Sequence, residues 1–217
     1  CNLRNLWFLG FFRIDSILVS IIKMAYRKEI AEIGEALRKV EKVLVITGAG
    51  VSAESGIPTF RGKDGWWRNY DPMELASPAG FARDPKTVWE WYNYRRELVK
   101  RAAPNPAHIA LAQLERHFPY FLIATQNVDR LHHRAGSKKV IEVHGTIMEA
   151  RCCRDGRIYS DEALEKIEEV PPHCSCGALL RPNVVWFGEM LPEEPLSKID
   201  EFVNGKPPVG VTLVIGT

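Results

Sequence analysis

The chain has 217 residues, 46% of them hydrophobic and 26% charged, which is enough apolar material for one core of ordinary size. Its 29 basic and 27 acidic residues leave a formal net charge of +2, too balanced to indicate a nucleic-acid partner. Of its five cysteines, four lie between Cys152 and Cys176. This clustering favours a metal site over dispersed disulfides and predicts a reducing, cytoplasmic location.

Residues 1–23 are an apolar segment that begins with Cys rather than Met. Its two apolar blocks are each too short to cross a bilayer, and no small-residue cleavage site follows them. Met24 is one candidate for the natural start, and a true apolar extension is the alternative. We expect no membrane contact unless that extension belongs to the protein.

The first predicted elements are a helix and a strand that leads into a glycine loop. Residues 27–40 place apolar side chains three and four positions apart, which predicts an amphipathic helix. Residues 43–46 form a short run of β-branched residues and leucine that predicts a strand, and it ends close to Gly48, as nucleotide-binding α/β units begin. Further buried strands are predicted at 121–124, 140–143 and 211–215, with a helix near 106–117 ahead of the first. Strands that are separated by helices imply a parallel sheet.

The loop Gly48, Ala49, Gly50 presents backbone amides that can approach a pyrophosphate closely. It lacks the third glycine of the usual dinucleotide motif, so a plain tight turn is an equal interpretation of the spacing alone. The residues that follow decide in favour of a nucleotide site, because GAGVSAESGIPTFRG at 48–62 resembles the NAD-binding signature of the sirtuins.

Two more blocks carry the same resemblance. They are TQNVD at 125–129 with VHG at 143–145, and LRPNVVWFGE at 180–189, in the order found in sirtuins. The similarity covers about residues 27–217. It implies an NAD-dependent enzyme that removes acyl groups from lysine side chains of proteins or peptides.

The resemblance also implies an α/β fold, in which a small zinc-ribbon-like module and a helical module are inserted into a Rossmann-like parallel sheet. We expect a catalytic domain over 24–217 that lacks the family's last elements beyond Thr217. Its expected parts are the Rossmann part at about 27–60, 105–149 and 183–217, the helical insertion at about 61–104 and the cysteine-bearing module at about 150–182.

In sirtuins the acyl oxygen attacks the ribose carbon that bears nicotinamide, and nicotinamide and O-acyl-ADP-ribose are released. The resemblance places the general base at His144, and an imidazole suits that role. Asn127 and Asp129 match the residues that hold the carboxamide, and Phe60 matches the ring that shields the sugar carbon. The expected NAD-binding set is Gly48, Ala49, Gly50, Ala53, Ile57, Thr59, Phe60, Arg61, Trp67, Gln126, Asn127, Val128, Asp129, Gly216 and Thr217.

The expected substrate-binding residues fall in two places. Val185, Phe187, Gly188 and Glu189 match the segment that receives the peptide as an added strand. Tyr92 and Arg95 lie three positions apart on a predicted helix, so they share one face.

This Tyr-x-x-Arg spacing resembles that of the sirtuins that recognise succinyl, malonyl or glutaryl groups. A guanidinium can bind such a carboxylate through two hydrogen bonds. We therefore expect a desuccinylase or demalonylase with some deacetylase activity. The alternative is that Arg95 is solvated, and Arg96 beside it leaves the register open.

The zinc module of sirtuins usually has two Cys-x-x-Cys pairs that supply four thiolates. This chain differs, since Cys152 and Cys153 are adjacent and Asp155 occupies the place of the second cysteine. A module that folds without metal is one interpretation. Zinc is the other, and its candidate ligands are Cys152, His173, Cys174 and Cys176.

Two other functions stay open at this stage. One is an NAD or ADP-ribose sensor without turnover, against which the presence of His144, Asn127 and Asp129 argues. The other is mono-ADP-ribosyl transfer, which would use the same NAD-binding residues.

Overall fold

The structure is a computed structural model that describes residues 26–61, 65 and 69–217. The predicted extension at 1–23 and Trp67 lie outside the described residues. A first helix, α1, spans Arg27–Arg38 and confirms the helix predicted there. It belongs to a separate compact unit, and Glu41–Thr217 forms the unit that carries the site. Within the described ranges, no helix has the length and apolar character needed to cross a membrane.

The elements of the larger unit alternate between short strands and helices. In chain order they are β1 (Lys42–Thr47), a 3-10 helix (Ala49–Ser55), α2 (Pro72–Leu75), α3 (Pro78–Arg83), α4 (Pro85–Arg101), α5 (Pro106–Leu114), a second 3-10 helix (Glu115–His117), β2 (Tyr120–Thr125), α6 (Leu131–Arg134), β3 (Val140–Glu142), β4 (Gly145–Cys152), β5 (Ile158–Tyr159), α7 (Asp161–Leu164), β6 (Leu180–Val184), α8 (Glu193–Asn204) and β7 (Val211–Ile215).

Four of these strands form a parallel sheet in the order β3-β2-β1-β7. β1 lies inside the sheet, and Val43 and Val45 are fully buried. Its continuous apolar run of valine, leucine and isoleucine suits a strand that is covered on both faces. The predicted parallel sheet is confirmed, and each of its four predicted strands differs from the observed one by a residue or two at most.

The other three strands form an antiparallel sheet in the order β5-β4-β6, which the sequence did not predict. Residues 145–149, expected in the Rossmann part, belong to β4 of this second sheet. The chain passes from β3 in one sheet to β4 in the other through only Val143 and His144. The cysteines lie at the far end of the second sheet from this crossing.

Helix α4 connects the helical insertion to the second sheet. It begins with Asp84, whose carboxylate accepts the backbone N–H of Thr87, and Pro85 occupies the first helical turn. Its buried face includes Val88, Trp89, Tyr92, Arg95, Arg96 and Val99. The indole of Trp89 donates to the carbonyl of Leu180 at 2.8 Å, which fixes the helix against β6.

Candidate active site

A cavity of about 760 Å³ lies at the carboxyl ends of β1 and β2, where ligands bind in open α/β sheets. The segment after β6 and the buried face of α4 close its other side. The structure brings most of the predicted site residues together in its wall. They are Gly48, Ala49, Gly50, Thr59, Phe60, Arg61, Tyr92, Arg95, Gln126, Asn127, Val128, His144, Val185, Phe187, Gly188, Glu189, Gly216 and Thr217.

Among the described residues of the predicted cofactor set, Ala53, Ile57 and Asp129 are not in this wall. Asp129 is buried behind it, where its carboxylate accepts the hydroxyl of Ser52 at 2.7 Å and the backbone N–H of Leu131 at 2.9 Å. Ser52 in turn accepts the side-chain amide of Asn127 at 3.1 Å. Asp129 therefore acts on the cavity through Ser52 and Asn127.

His108 completes this buried chain of hydrogen bonds. Its Nδ1 accepts the backbone N–H of Asn105 at 3.3 Å, so its Nε2 carries the proton and donates to Ser52 at 3.3 Å. Burial lowers the pKa of His108, which keeps the ring neutral. Sequence reasoning missed Ser52 and His108. The serine lies inside the glycine-loop signature, but no spacing connects it to a histidine 56 residues away.

The glycine loop lies directly against the end of β7. The backbone N–H of Gly50 donates to the carbonyl of Gly216 at 2.7 Å. A Cβ at Gly48 would lie 2.8 Å from that carbonyl oxygen, and a Cβ at Gly50 would lie 2.9 Å from it. Glycine is therefore required here by the neighbouring backbone as well as by any phosphate. The resulting cradle, open to the cavity, fits a dinucleotide pyrophosphate.

His144 is held by two hydrogen bonds at the crossing between the sheets. Its Nδ1 lies 3.1 Å from the carbonyl oxygen of Gln126, which can only accept, so Nδ1 carries the proton. Its own carbonyl accepts the N–H of Val185 at 2.9 Å. Burial lowers the pKa of His144, against the opposing effect of the Gln126 carbonyl. The neutral ring therefore keeps Nε2 as a proton acceptor beside the cavity.

Arg95 lies between aromatic rings in the cavity wall and is only 8% exposed. Its guanidinium carbon is 4.6 Å from the ring centre of Trp91, 5.1 Å from that of Phe60 and 5.3 Å from that of Tyr92. Burial lowers its pKa, while Tyr92 and the charge of Asp129 act in the opposite direction. Arginine remains charged under these conditions, so the cavity contains a buried cation.

The structure also decides which of the two adjacent arginines lies beside Tyr92, a question that the sequence left open. Arg96 points to another environment, where it forms an ion pair with Asp161 of α7. Arg95 is the arginine beside Tyr92, so the solvated alternative for Arg95 is wrong.

The segment 185–189 is anchored mainly within the chain. Among its backbone N–H groups, that of Trp186 donates to the Glu189 carboxylate at 2.9 Å and that of Phe187 to the carbonyl of Ala76 at 2.8 Å. Glu189 also binds Arg181 through both oxygens, at 2.5 and 2.9 Å. Burial opposes ionisation of Glu189, but these bonds outweigh it and hold its pKa below the ordinary value. Glu189 therefore stabilises the conformation of the segment 185–189 through its bonds to Trp186 and Arg181.

The cysteine loop assembles a four-membered donor group. The ligand atoms of Cys152, Asp155, Cys174 and Cys176 all lie within 4.8 Å of one another. This set fits zinc, because thiolates and a carboxylate are both zinc ligands. Backbone and hydroxyl donors, from Cys176 and Tyr159, lower the pKa of Cys174 to about 6, whereas burial raises that of Cys152 to about 11.

His173, predicted as a ligand, is not part of this group. Its Nδ1 lies 2.9 Å from the carboxylate of Glu169 instead. The correction follows from the turn after Cys152, which brings Asp155 back over the preceding thiol, while Cys153 points outward as an exposed thiol.

A parallel sheet, a glycine loop at the end of its first strand and a histidine at the cavity define a Rossmann-like nucleotide-binding α/β protein with an inserted cysteine-bearing module. The model of the Sir2 family matches residues 48–217. The chain therefore belongs to the Sir2 family, and the predicted sirtuin fold is confirmed.

Relatives and solved structures agree with this assignment. The "NAD-dependent protein deacylase" of Aquifex aeolicus is 52% identical over 81% of this chain and 72% of its own length. The "NAD-dependent protein deacylase 2" of Pyrobaculum aerophilum is 50% identical over 85% and 73%. A solved Sir2 homologue mutant in complex with ADP-ribose has a TM-score of 0.80 at 48% identity, with 86% of this chain and 74% of that chain covered. A Sir2 homolog–NAD complex has a TM-score of 0.77 at 48% identity, over 86% and 72%.

Proposed function

We propose that this chain is an NAD-dependent protein-lysine deacylase that releases nicotinamide and O-acyl-ADP-ribose. The observation that carries the proposal is the position of His144 in the wall of one cavity with the glycine loop and Asn127. The two relatives described above are deacylases by name, and two solved homologues hold ADP-ribose or NAD.

On the cofactor side, the glycine loop and Gly216 would form the cradle for the pyrophosphate, and Gln126 would contact the ribose. Asn127 would hold the nicotinamide carboxamide, while Ser52 and Asp129 fix its side chain from behind. Thr59, Phe60 and Arg61 cover the reacting centre from the loop above, and the ring of Phe60 excludes water from it. When bound, NAD supplies the ribose carbon that accepts the acyl oxygen.

His144 is the general base of this reaction. Because Nδ1 donates to Gln126, Nε2 can take a proton from a ribose hydroxyl without a change of tautomer. A base held by a backbone carbonyl keeps its orientation through the catalytic cycle. Gly145 supports this placement, since its φ of 74° lets the chain turn into β4 directly after the histidine.

On the acyl side, we propose a preference for succinyl or malonyl groups over acetyl. Arg95 is a buried cation in the cavity wall, and the phenol of Tyr92 lies beside it. Burial raises the pKa of Tyr92, so the phenol keeps its proton and can donate. A carboxylate would receive charge-assisted hydrogen bonds from both groups, whereas an acetyl methyl group would receive none.

The same protein is proposed to use zinc only to fold its cysteine-bearing module. Cys152, Asp155, Cys174 and Cys176 would hold the ion at the end of β4 that is opposite His144. A fully occupied set of four ligands leaves no open coordination position, which is the arrangement of a structural zinc site.

The proposal is tested by incubating the protein with NAD and matched acetyl-, malonyl- and succinyl-lysine peptides, with mass spectrometry of all products. Acyl-ADP-ribose and free lysine peptide are expected, with kcat/KM at least tenfold higher for the acidic acyl groups. An His144→Ala variant is the control. Labelled protein without acyl-ADP-ribose would indicate ADP-ribosyl transfer, and NAD binding without any product would indicate a sensor.

A further inference from the structure

The indole of Trp186 connects the peptide-binding segment to the acyl pocket. Its Nε1–H donates to the phenol oxygen of Tyr92 at 2.9 Å, between two side chains that are both almost fully buried. We propose that Trp186 is a positioning residue for acyl-group selection, which orients the hydroxyl of Tyr92 toward the acyl carboxylate. This inference rests on the acidic-acyl preference proposed above.

The hydrogen bonds around the phenol of Tyr92 restrict the direction in which its hydroxyl can donate. A tyrosine hydroxyl has one hydrogen to donate, and its oxygen accepts further bonds. The indole N–H of Trp186 donates to that oxygen at 2.9 Å, and the guanidinium of Arg95, a second donor, lies beside the phenol ring. The hydroxyl hydrogen must therefore point away from both donors. Since Tyr92 and Arg95 line the cavity, we infer that this remaining direction faces the bound acyl group.

The side chain of Trp186 is itself held rigidly, and it is only 3% exposed. The guanidinium carbon of Arg181 lies 3.4 Å from its ring centre, and the ring of Phe81 packs at 5.2 Å. Its backbone N–H is bound by Glu189, which also binds Arg181. A side chain held in this way keeps its N–H in one place, so the phenol it contacts is oriented before any substrate arrives.

The orientation of the Tyr92 hydroxyl bears on specificity. Arg95 attracts any acyl carboxylate by charge, but the hydroxyl of Tyr92 contributes only if its hydrogen is already directed at the substrate. Without the indole donor, the phenol oxygen can exchange partners and the hydroxyl can rotate. Replacing Trp186 is thus expected to affect turnover of acidic acyl groups more than turnover of acetyl groups.

The test is a double-mutant cycle with Trp186→Phe and Tyr92→Phe, measured as kcat/KM for succinyl and acetyl peptides. We expect Trp186→Phe to lower kcat/KM for the succinyl peptide by about three- to tenfold, the range for one neutral hydrogen bond. The loss should fall mainly on KM, and it should exceed the loss on the acetyl peptide, so that the ratio of kcat/KM for succinyl over acetyl falls. In the Tyr92→Phe background, Trp186→Phe should have no further effect on succinyl selectivity.

Trp89→Phe is the matched control. It also removes a buried indole donor, the one bound to the carbonyl of Leu180, but that donor does not contact Tyr92. The succinyl-to-acetyl ratio of this variant should equal that of the unmutated enzyme. If Trp186→Phe fails to fold, 3-benzothienylalanine at position 186 replaces the N–H by sulfur and keeps the bicyclic shape. It should show the same selective loss.

Equal losses on both acyl groups, or full additivity with Tyr92→Phe, would overturn the role of Trp186 while leaving the acidic-acyl preference intact. Comparable kcat/KM for succinyl and acetyl peptides in the unmutated enzyme would instead overturn that preference, and this inference with it.

Discussion

The imidazole of His144 donates from Nδ1 to the main-chain carbonyl of Gln126, 3.1 Å away. The two residues follow different strands, and this bond sets both the tautomer and the direction of the base. Because the carbonyl belongs to the loop that also carries Asn127, the proposed base and the proposed carboxamide-binding residue are positioned by the same stretch of backbone.

The first prediction concerns the pH dependence of turnover. Burial lowers the pKa of His144 below 6.5, so the ring loses its proton at a lower pH than a free histidine. The active form is the neutral one, and kcat/KM should therefore rise with pH through an apparent pKa below 6.5. His144→Ala should lower kcat/KM by at least about a hundredfold while NAD affinity stays within a few fold. An acidic limb centred above 6.5, or near-normal turnover in the variant, would contradict this role.

The second prediction concerns Arg95. Replacement by Met keeps the volume and removes the charge, so Arg95→Met should weaken transition-state binding of a succinyl peptide by about 2 to 4 kcal/mol. Acetyl turnover should change little. Arg96→Met is the control, because Arg96 pairs with Asp161 outside the cavity. Steady-state kinetics on both peptides decides the matter, and equal losses on the two peptides would argue against carboxylate recognition.

The third prediction uses two glycines with positive φ. A Cβ at Gly145 would lie 2.2 Å from the carbonyl oxygen of Asn183, whereas a Cβ at Gly136 would meet no atom within 4 Å. Both substitutions by Ala should destabilise through backbone strain, Gly136→Ala by about 1 kcal/mol and Gly145→Ala by more, because of its overlap with Asn183. Only Gly145→Ala should also displace His144 and lower kcat/KM. Urea unfolding and kinetics separate the two effects, and an unchanged kcat/KM in Gly145→Ala would show that the neighbouring backbone can move without disturbing the base.

The fourth prediction concerns zinc. The purified protein should hold about one zinc ion per chain, as expected for one tetrahedral site. Asp155→Ala should reduce zinc content and thermal stability, and Asp155→Cys should retain both. His173→Ala is the control, because His173 is bound to Glu169 outside the donor group. Elemental analysis with thermal unfolding measures all three variants. Loss of zinc in His173→Ala but not in Asp155→Ala would restore the ligand set that the sequence first suggested.

The fifth prediction concerns stability against pH. Burial first, then the charges of His108 and His133, lower the pKa of His132 to about 4. The unfolded chain binds a proton there near pH 6.5, so this residue lowers stability as pH falls from 6.5 toward 4. Burial raises the pKa of Glu142 to about 7, so the folded protein keeps a proton that the unfolded chain loses near pH 4.5. Glu142 therefore lowers stability as pH rises through the same window.

Each shift of 2.5 units lowers stability by up to roughly 3 kcal/mol, and the two losses change with pH in opposite directions, so the pH dependence that they cause should nearly cancel between pH 5 and 6.5. Glu142→Gln should show a free energy of unfolding that falls with decreasing pH, and His132→Asn should show one that rises. His117→Asn changes an exposed histidine and serves as the control. Urea unfolding at constant ionic strength measures these slopes, and a Glu142→Gln profile parallel to the unmutated one would refute the compensation.

The sequence predicted the parallel sheet well because its strands are unbroken apolar runs next to glycine, a pattern that depends on burial alone. It did not predict the antiparallel sheet. β4 carries Glu149 and Arg151 among its apolar residues, and β6 contains Arg181, Pro182 and Asn183, so neither has a clear strand pattern. Their pairing depends on contacts between segments about 30 residues apart, which no local pattern encodes.

The site residues also divide into those that the sequence indicates and those that only the structure reveals. His144 and Arg95 could be found from motifs, because their chemistry and spacing are visible in the chain. Ser52, His108 and Trp186 could not, since each acts by a hydrogen bond to a residue 56 or more positions away. His173 was one of four candidate zinc ligands because it precedes Cys174, and only the turn after Cys152 shows that Asp155 completes the donor group instead.

The two-residue crossing from β3 to β4 determines where the chain can change without moving His144. β4 and β6 are paired next to His144, at Gly145 and Val184, while the cysteine loop lies at their other ends. Insertions, deletions or changes of metal ligand in that loop leave the crossing in place, whereas a single added residue at Val143 would turn the base away from the cavity. We therefore expect changes in the distal loop, such as the adjacent cysteines, to affect the position of His144 less than a change at the crossing would.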